Sequence, residues 1–210
     1  MDIERKTAVR RAAVLLALGL VYLGLVSATF AAGIDLAADR TMQYVLHAAV
    51  VAGAFAYVFF ADGVYRAEEA KGPARLALLF AAMFAVPVLI GRAVGTAAVA
   101  SDELSAAMPY LNFYAAASVS RPVEMAAWTT LFPVSMLLLA RVFAKGRTGK
   151  LLAALCVAAA VCCFAAVFSL VSAATVFVWV GLLGWGVLFT VIVAVYIISR
   201  RAAKPEADRR

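Results

Sequence analysis

Apolar positions in this chain gather into long unbroken runs, separated by short stretches that hold nearly all the charge. Six such runs of about 20 residues, near residues 12–32, 42–61, 76–99, 123–143, 151–172 and 175–199, are each long enough to cross a ~30 Å hydrocarbon layer as a helix. The connection "DGVYRAEEAKGPAR" carries Gly63, Gly72 and Pro73 as helix breakers among mixed charges. From Leu151 to Ile198 there is almost no polar interruption, and one helix of that length would measure ~72 Å, about twice what a bilayer needs. The chain must fold back there, and "SLVSAAT" (Ser169, Ser172, Thr175) is the turn the sequence offers. The pattern predicts an all-α polytopic membrane protein, a bundle of six transmembrane helices forming one integral membrane domain over residues 1–210.

Composition agrees. The chain is 66% hydrophobic and 15% charged, against roughly half and a quarter in a soluble domain. Its net charge of +7 is distributed in a way that argues against nucleic acid as a partner. Sixteen of the nineteen Lys and Arg residues lie before the first run, between the second and third, between the fourth and fifth, or after the sixth. Alternating spans put all sixteen on one side, which by the positive-inside rule predicts a cell-membrane protein with both termini cytoplasmic and basic residues against anionic lipid headgroups. The first run exceeds the 7–15 apolar residues of a signal-peptide core and reads as a span. Cys156, Cys162 and Cys163 share the fifth run without CxxC spacing and read as packing residues.

Between the third and fourth runs lies "SDELSAAMPYLNFYAAASVS". Leu104, Met108, Leu111 and Tyr114 recur there at three- and four-residue steps, the pattern of a helix lying at the outer interface or of a lid. Pro87 sits inside the third run and is expected to kink it. Gly91 and Gly95, and Ala13 and Ala17, have the small-xxx-small spacing that lets another helix approach.

The ionisable residues inside the runs carry the candidate chemistry. Pro122 and Glu124 suit the first turn of the fourth helix, where an acid meets the positive end of the helix dipole. His47, Arg92 and Glu124, on three different runs, also fall in one shallow layer near the outer ends. Charged groups within spans are costly and tend to pair around a bundle interior or wet cavity. That predicts an outward-open pocket of His47, Arg92, Glu124, Trp128, Tyr44, Arg121 and Tyr114, with Arg92 and Glu124 as partners across spans three and four and His47 the alternative partner of Glu124. An Arg and a His near aromatic rings favour an anionic or aromatic solute.

No resident cofactor is expected. One His and one acid are not a conventional metal set, paired His haem ligation is excluded by the single His, and no G-x-S-x-G, H-E-x-x-H or P-loop occurs. Arg121, Glu124, Trp128, the following Thr residues and Pro133 resemble the third helix of microbial rhodopsins. No Lys lies within a predicted span, so a retinal Schiff base is excluded. Size, topology, the outward polar layer and the Ala13/Ala17 pair are similar to substrate-binding subunits of energy-coupling-factor vitamin transporters, a likeness of architecture without a ligand motif. Three functions follow as expectations. They are a binding or uptake component for a small solute arriving from outside, a structural or regulatory subunit docking other membrane subunits or copies of itself through its small-residue faces, and an intramembrane enzyme using His47 and Glu124 as acid and base.

Overall fold

The computed structural model describes residues 3–115, 118–170 and 176–202. Its helices are α1 (Ile3–Ala31), α2 (Arg40–Ala67), α3 (Lys71–Ala100), α4 (Asp102–Ala107), α5 (Ser120–Thr129), α6 (Leu131–Phe143), α7 (Gly146–Ala165), α8 (Val176–Leu182) and α9 (Phe189–Ala202). Short 3₁₀ turns occupy Pro109–Leu111 and Ala166–Leu170, and a π-helical turn, Leu183–Leu188, joins α8 to α9. Among the described residues six helices are long and apolar enough to cross a membrane: α1, α2, α3, Ser120–Phe143, Gly146–Leu170 and Val176–Ala202. They coincide with the six apolar runs. Several extend beyond them because charged residues at an end, such as Glu4, Arg5 and Lys6 of α1 or Arg66 of α2, continue the same helix. The predicted turn at Ser169–Thr175 is only partly visible, since residues 171–175 lie outside the described residues, as do the basic residues of 203–210.

Each span packs against its sequence neighbours, and the sixth returns to the first through α9 and α1, closing a ring. Short connections between long helices produce this up-and-down arrangement. Rings fill the centre: Tyr57 of α2 lies 5.3 Å from Phe132 of α6 and 5.2 Å from Phe189 of α9. The Tyr57 hydroxyl donates to Ser135 Oγ at 2.6 Å, which donates to the Ala77 carbonyl at 2.8 Å. Thus the buried polar atoms of three helices satisfy one another.

Two irregularities shape the fold, and neither was anticipated. The fourth span breaks at Thr130 (φ −125°, ψ −61°), three residues before Pro133, whose ring would meet the carbonyl four residues back in a regular helix. The sixth span widens into its π turn where Gly184 meets α7. A Cβ at Gly184 would lie 2.7 Å from Cys163 Sγ and 2.9 Å from the Ala159 carbonyl, so only glycine permits this approach. The buried Cys156 and Cys163 pack as expected. The helix of α3 runs continuously through Pro87.

At the end carrying both termini, ion pairs tie the helices together. Asp62 bonds Arg11 of α1 and Arg66, the latter at 2.9 Å. Glu68 pairs with Arg200 of α9 at 2.6 Å, and Lys145 with Glu69 at 3.0 Å. At the opposite end Arg40 pairs with Asp102, fastening α2 to α4.

Candidate functional site

Glu124 and Arg92 face each other between α5 and α3, at the end of the bundle away from the termini. Arg92 Nε donates to Glu124 Oε2 at 2.7 Å and Nη2 donates to Oε1 at 2.6 Å, a bidentate geometry specific to guanidinium and carboxylate. The two residues are 5% and 2% exposed, so the pair is a buried one, as expected from the sequence. Glu124 does not serve as a simple helix-end acid. Two further groups complete the arrangement, with Trp128 Nε1 donating to Glu124 Oε1 at 3.2 Å and Arg92 Nη1 donating to the Tyr114 hydroxyl at 3.1 Å. The guanidinium carbon lies 3.7 Å from the centre of the Phe113 ring, a cation–π contact in a desolvated place.

His47 belongs to a neighbouring cluster and is not Glu124's partner. Its ring stacks on Tyr114, 5.7 Å centre to centre with 14° between planes. Its Nδ1 lies 3.0 Å from Thr96 Oγ1. The Thr96 hydroxyl donates to the Arg92 carbonyl at 2.7 Å, so its oxygen accepts and His47 carries its proton on Nδ1. Nε2 is buried and has no partner among the described residues. It packs against Gly95, where a Cβ would approach His47 Cε1 to 2.8 Å.

The segment between α3 and α5 differs from the single interfacial helix that its periodicity suggests. Pro109 ends that possibility, because α4 stops at Ala107 and a 3₁₀ turn follows. Met108 and Tyr110 are exposed, while Phe113 turns inward and is buried. The segment thus acts through Phe113 and Tyr114, which cover Arg92. Burial holds the Tyr114 hydroxyl above its usual pKa, so it stays protonated and keeps a proton to donate.

Beside the Arg92–Glu124 pair is a cavity of about 220 Å³. Five of the six spans contribute walls, including Tyr22 and Phe30 from α1, Leu46 from α2, and Trp179 and Trp185 from the sixth span. Of the residues predicted to form a pocket, Arg92, Tyr114, Arg121, Glu124 and Trp128 line this cavity. His47 stands behind Tyr114. Tyr44 is not part of the lining and is 38% exposed on α2. Its position one helical turn from His47 gave no means of telling which face it occupied.

Tyr22, Phe30, Trp179 and Trp185 were not foreseen, since an aromatic residue in an apolar run resembles any lipid-facing one. Gly91 and Gly95 are taken up inside the chain, against Glu124 and against His47 with Phe113, so they offer no face to another subunit. Ala17 is exposed, and the tight contact between α1 and α2 falls instead at Ala8 and Gly63. Among the described residues no three His, Cys, Asp or Glu side chains gather where they could hold a metal ion. Compared with family models, curated proteins and solved structures, the chain matches none.

Proposed function

We propose that this protein is a membrane-embedded binding component for a small aromatic solute, held in the cavity beside Arg92 and Glu124. One observation carries the proposal: a buried, bidentate ion pair forms part of the wall of a ring-lined cavity. A pair serving packing alone would be expected among close-fitting side chains, because interiors leave few voids larger than water. The volume of about 220 Å³ exceeds the ~150 Å³ that accommodates benzene, and therefore suits a molecule of one or two rings. Arg92's charge is already matched by Glu124, so an aromatic solute fits better than an anionic one.

We further infer that both termini are cytoplasmic and that the cavity lies on the outer side. The positive-inside distribution of sixteen basic residues supports this orientation. Solute would then arrive from outside, consistent with binding or uptake. His47 and Glu124 have separate hydrogen-bond partners, which gives no support to their acting together as an acid and base.

Thermal unfolding of the protein in nanodiscs with phenol, indole and benzoate tests the proposal. Ligand at about 100 times its Kd stabilises the folded state by ~2.7 kcal/mol, so phenol or indole should raise the melting temperature. Leu182→Trp, which fills the cavity, should abolish the rise. Equal responses from wild type and Leu182→Trp, or no response to any of the three compounds, would remove the proposed function.

A further inference from the structure

α1 and the sixth span are packed together over only part of their length. α1 packs against α9, and Gly19, near the middle of α1, meets Thr190 there. Toward the C-terminal end of α1, Tyr22, Val26 and Phe30 face Val178, Trp179, Leu182 and Trp185 across the cavity instead of packing tightly against them. Among the described residues the Phe30 and Trp179 rings meet across the seam near its outer end, 5.2 Å apart. Both are largely exposed, at 61% and 51%. On helices that cross a membrane, that exposure faces lipid. The water-facing end is crossed by Leu36 of the turn after α1 and by Phe113 and Tyr114, and Arg40–Asp102 fastens the outer segment over the bundle.

The cavity's polar groups restrict what can occupy it. Among the described residues Glu124 Oε1 accepts from both Arg92 and Trp128, whereas Oε2 accepts from Arg92. A carboxylate oxygen has room for a second donor. The Tyr114 hydroxyl accepts from Arg92 and retains its own proton. Tyr22 lines the same space and supplies another hydroxyl. A hydroxyl on the solute would match this set, donating to the carboxylate and accepting from a tyrosine. A carboxylate on the solute would bring a negative charge beside Glu124, while Arg92's charge is already engaged and Arg121, the other cation on the lining, is exposed, where water screens its charge.

We propose that the cavity opens sideways between α1 and α8 and takes an uncharged, lipid-dissolved single-ring molecule bearing a hydroxyl group, entering past Phe30 and Trp179. This rests on the cavity being a binding site, as proposed above, and adds the route and the chemical class. The π turn contributes to the device. It sets Trp185 into the cavity against Trp128, with ring centres 5.4 Å apart, and π-helical turns occur frequently at functional sites.

The experiment uses 4-bromophenol, a heavy-atom quencher uncharged at neutral pH, and the anionic 4-bromobenzoate, with protein in nanodiscs at fixed lipid concentration. Trp128 and Trp185 report occupancy. Saturable quenching by 4-bromophenol, with binding of 4-bromobenzoate weaker by about tenfold or more, is expected from the cost of burying an unpaired carboxylate. Equal binding of the two would overturn the class of solute. For the route, stopped-flow association should accelerate in Phe30→Ala/Trp179→Ala, two exposed positions. It should slow by about tenfold, within the range association rates span at one site, when a short bis-maleimide joins Phe30→Cys to Trp179→Cys. The tethered variant has Cys156, Cys162 and Cys163 replaced by alanine. Association unchanged in both variants, with quenching intact, would overturn the route and leave the cavity a binding site. Absence of saturable quenching by either compound in the wild type would instead overturn the binding site itself.

Discussion

Arg92 is covered on every side that carries charge or π-density: a carboxylate along one edge, a phenol at the remaining nitrogen and a benzene ring over its face. Breaking a buried pair leaves one ion without its counter-charge, typically a loss of ~3–5 kcal/mol, although the intact pair contributes far less than that. Glu124→Gln keeps the shape but removes the charge and puts a donor amide where one accepting oxygen stood, so it should lower the melting temperature in detergent markedly. Glu103→Gln, on the exposed α4, should change it little. Equal melting of the two variants would mean that the pair does not hold the site together. The partnership was legible from the sequence because two opposite charges at one depth on consecutive spans have few alternatives in hydrocarbon. The bidentate geometry and the covering aromatics were not, since those depend on side-chain direction.

At the level of elements, the turn between α2 and α3 is attached to α9 through Glu68, which meets Arg200 at 2.6 Å and the Tyr196 hydroxyl at 3.5 Å. Burial raises the Glu68 carboxyl above its usual pKa, although the neighbouring Arg200 works in the opposite direction. A raised folded-state pKa means that the folded protein holds this proton more tightly than the unfolded chain. Its contribution is therefore complete below the ordinary glutamate value of about 4.3 and declines as pH rises through the raised one. Melting of wild type and Glu68→Gln compared across that window should show the wild type losing stability relative to the variant as pH increases. A constant difference would show that Glu68 titrates alike in both states. The helices themselves were predictable from run length, but the interruption at Thr130 and the π turn at Leu183–Leu188 were not. Pro133 signals a break without saying which residue absorbs it, and Gly184 becomes necessary only because α7 approaches there.

On the scale of the whole molecule, six helices form a closed ring whose two ends differ in charge. Thirteen of the described basic residues, from Arg5 to Arg201, lie at the end with the termini or on the connections there, against Arg40, Arg92 and Arg121 elsewhere. The inferred orientation predicts that Gly72→Cys, in the first turn of α3, is not labelled by a membrane-impermeant maleimide in intact cells. Glu103→Cys, at the opposite end, should be labelled. The reverse pattern would invert the bundle and place the cavity on the cytoplasmic side.

The number of spans, their approximate limits and the placing of Arg92 and Glu124 at one depth near one end were determined by the sequence alone. Each follows from the cost of polar groups in hydrocarbon, which depends on residue type and spacing and little on neighbours. Tertiary structure decided which aromatic residues meet, that Gly91 and Gly95 receive Glu124 and His47 instead of a partner helix, and that α1 and α8 separate to leave a cavity. An apolar run satisfies the bilayer whichever face it turns inward. Only packing against particular neighbours fixes its rotation, and with it the difference between Tyr44, which points away, and Tyr22, which lines the site.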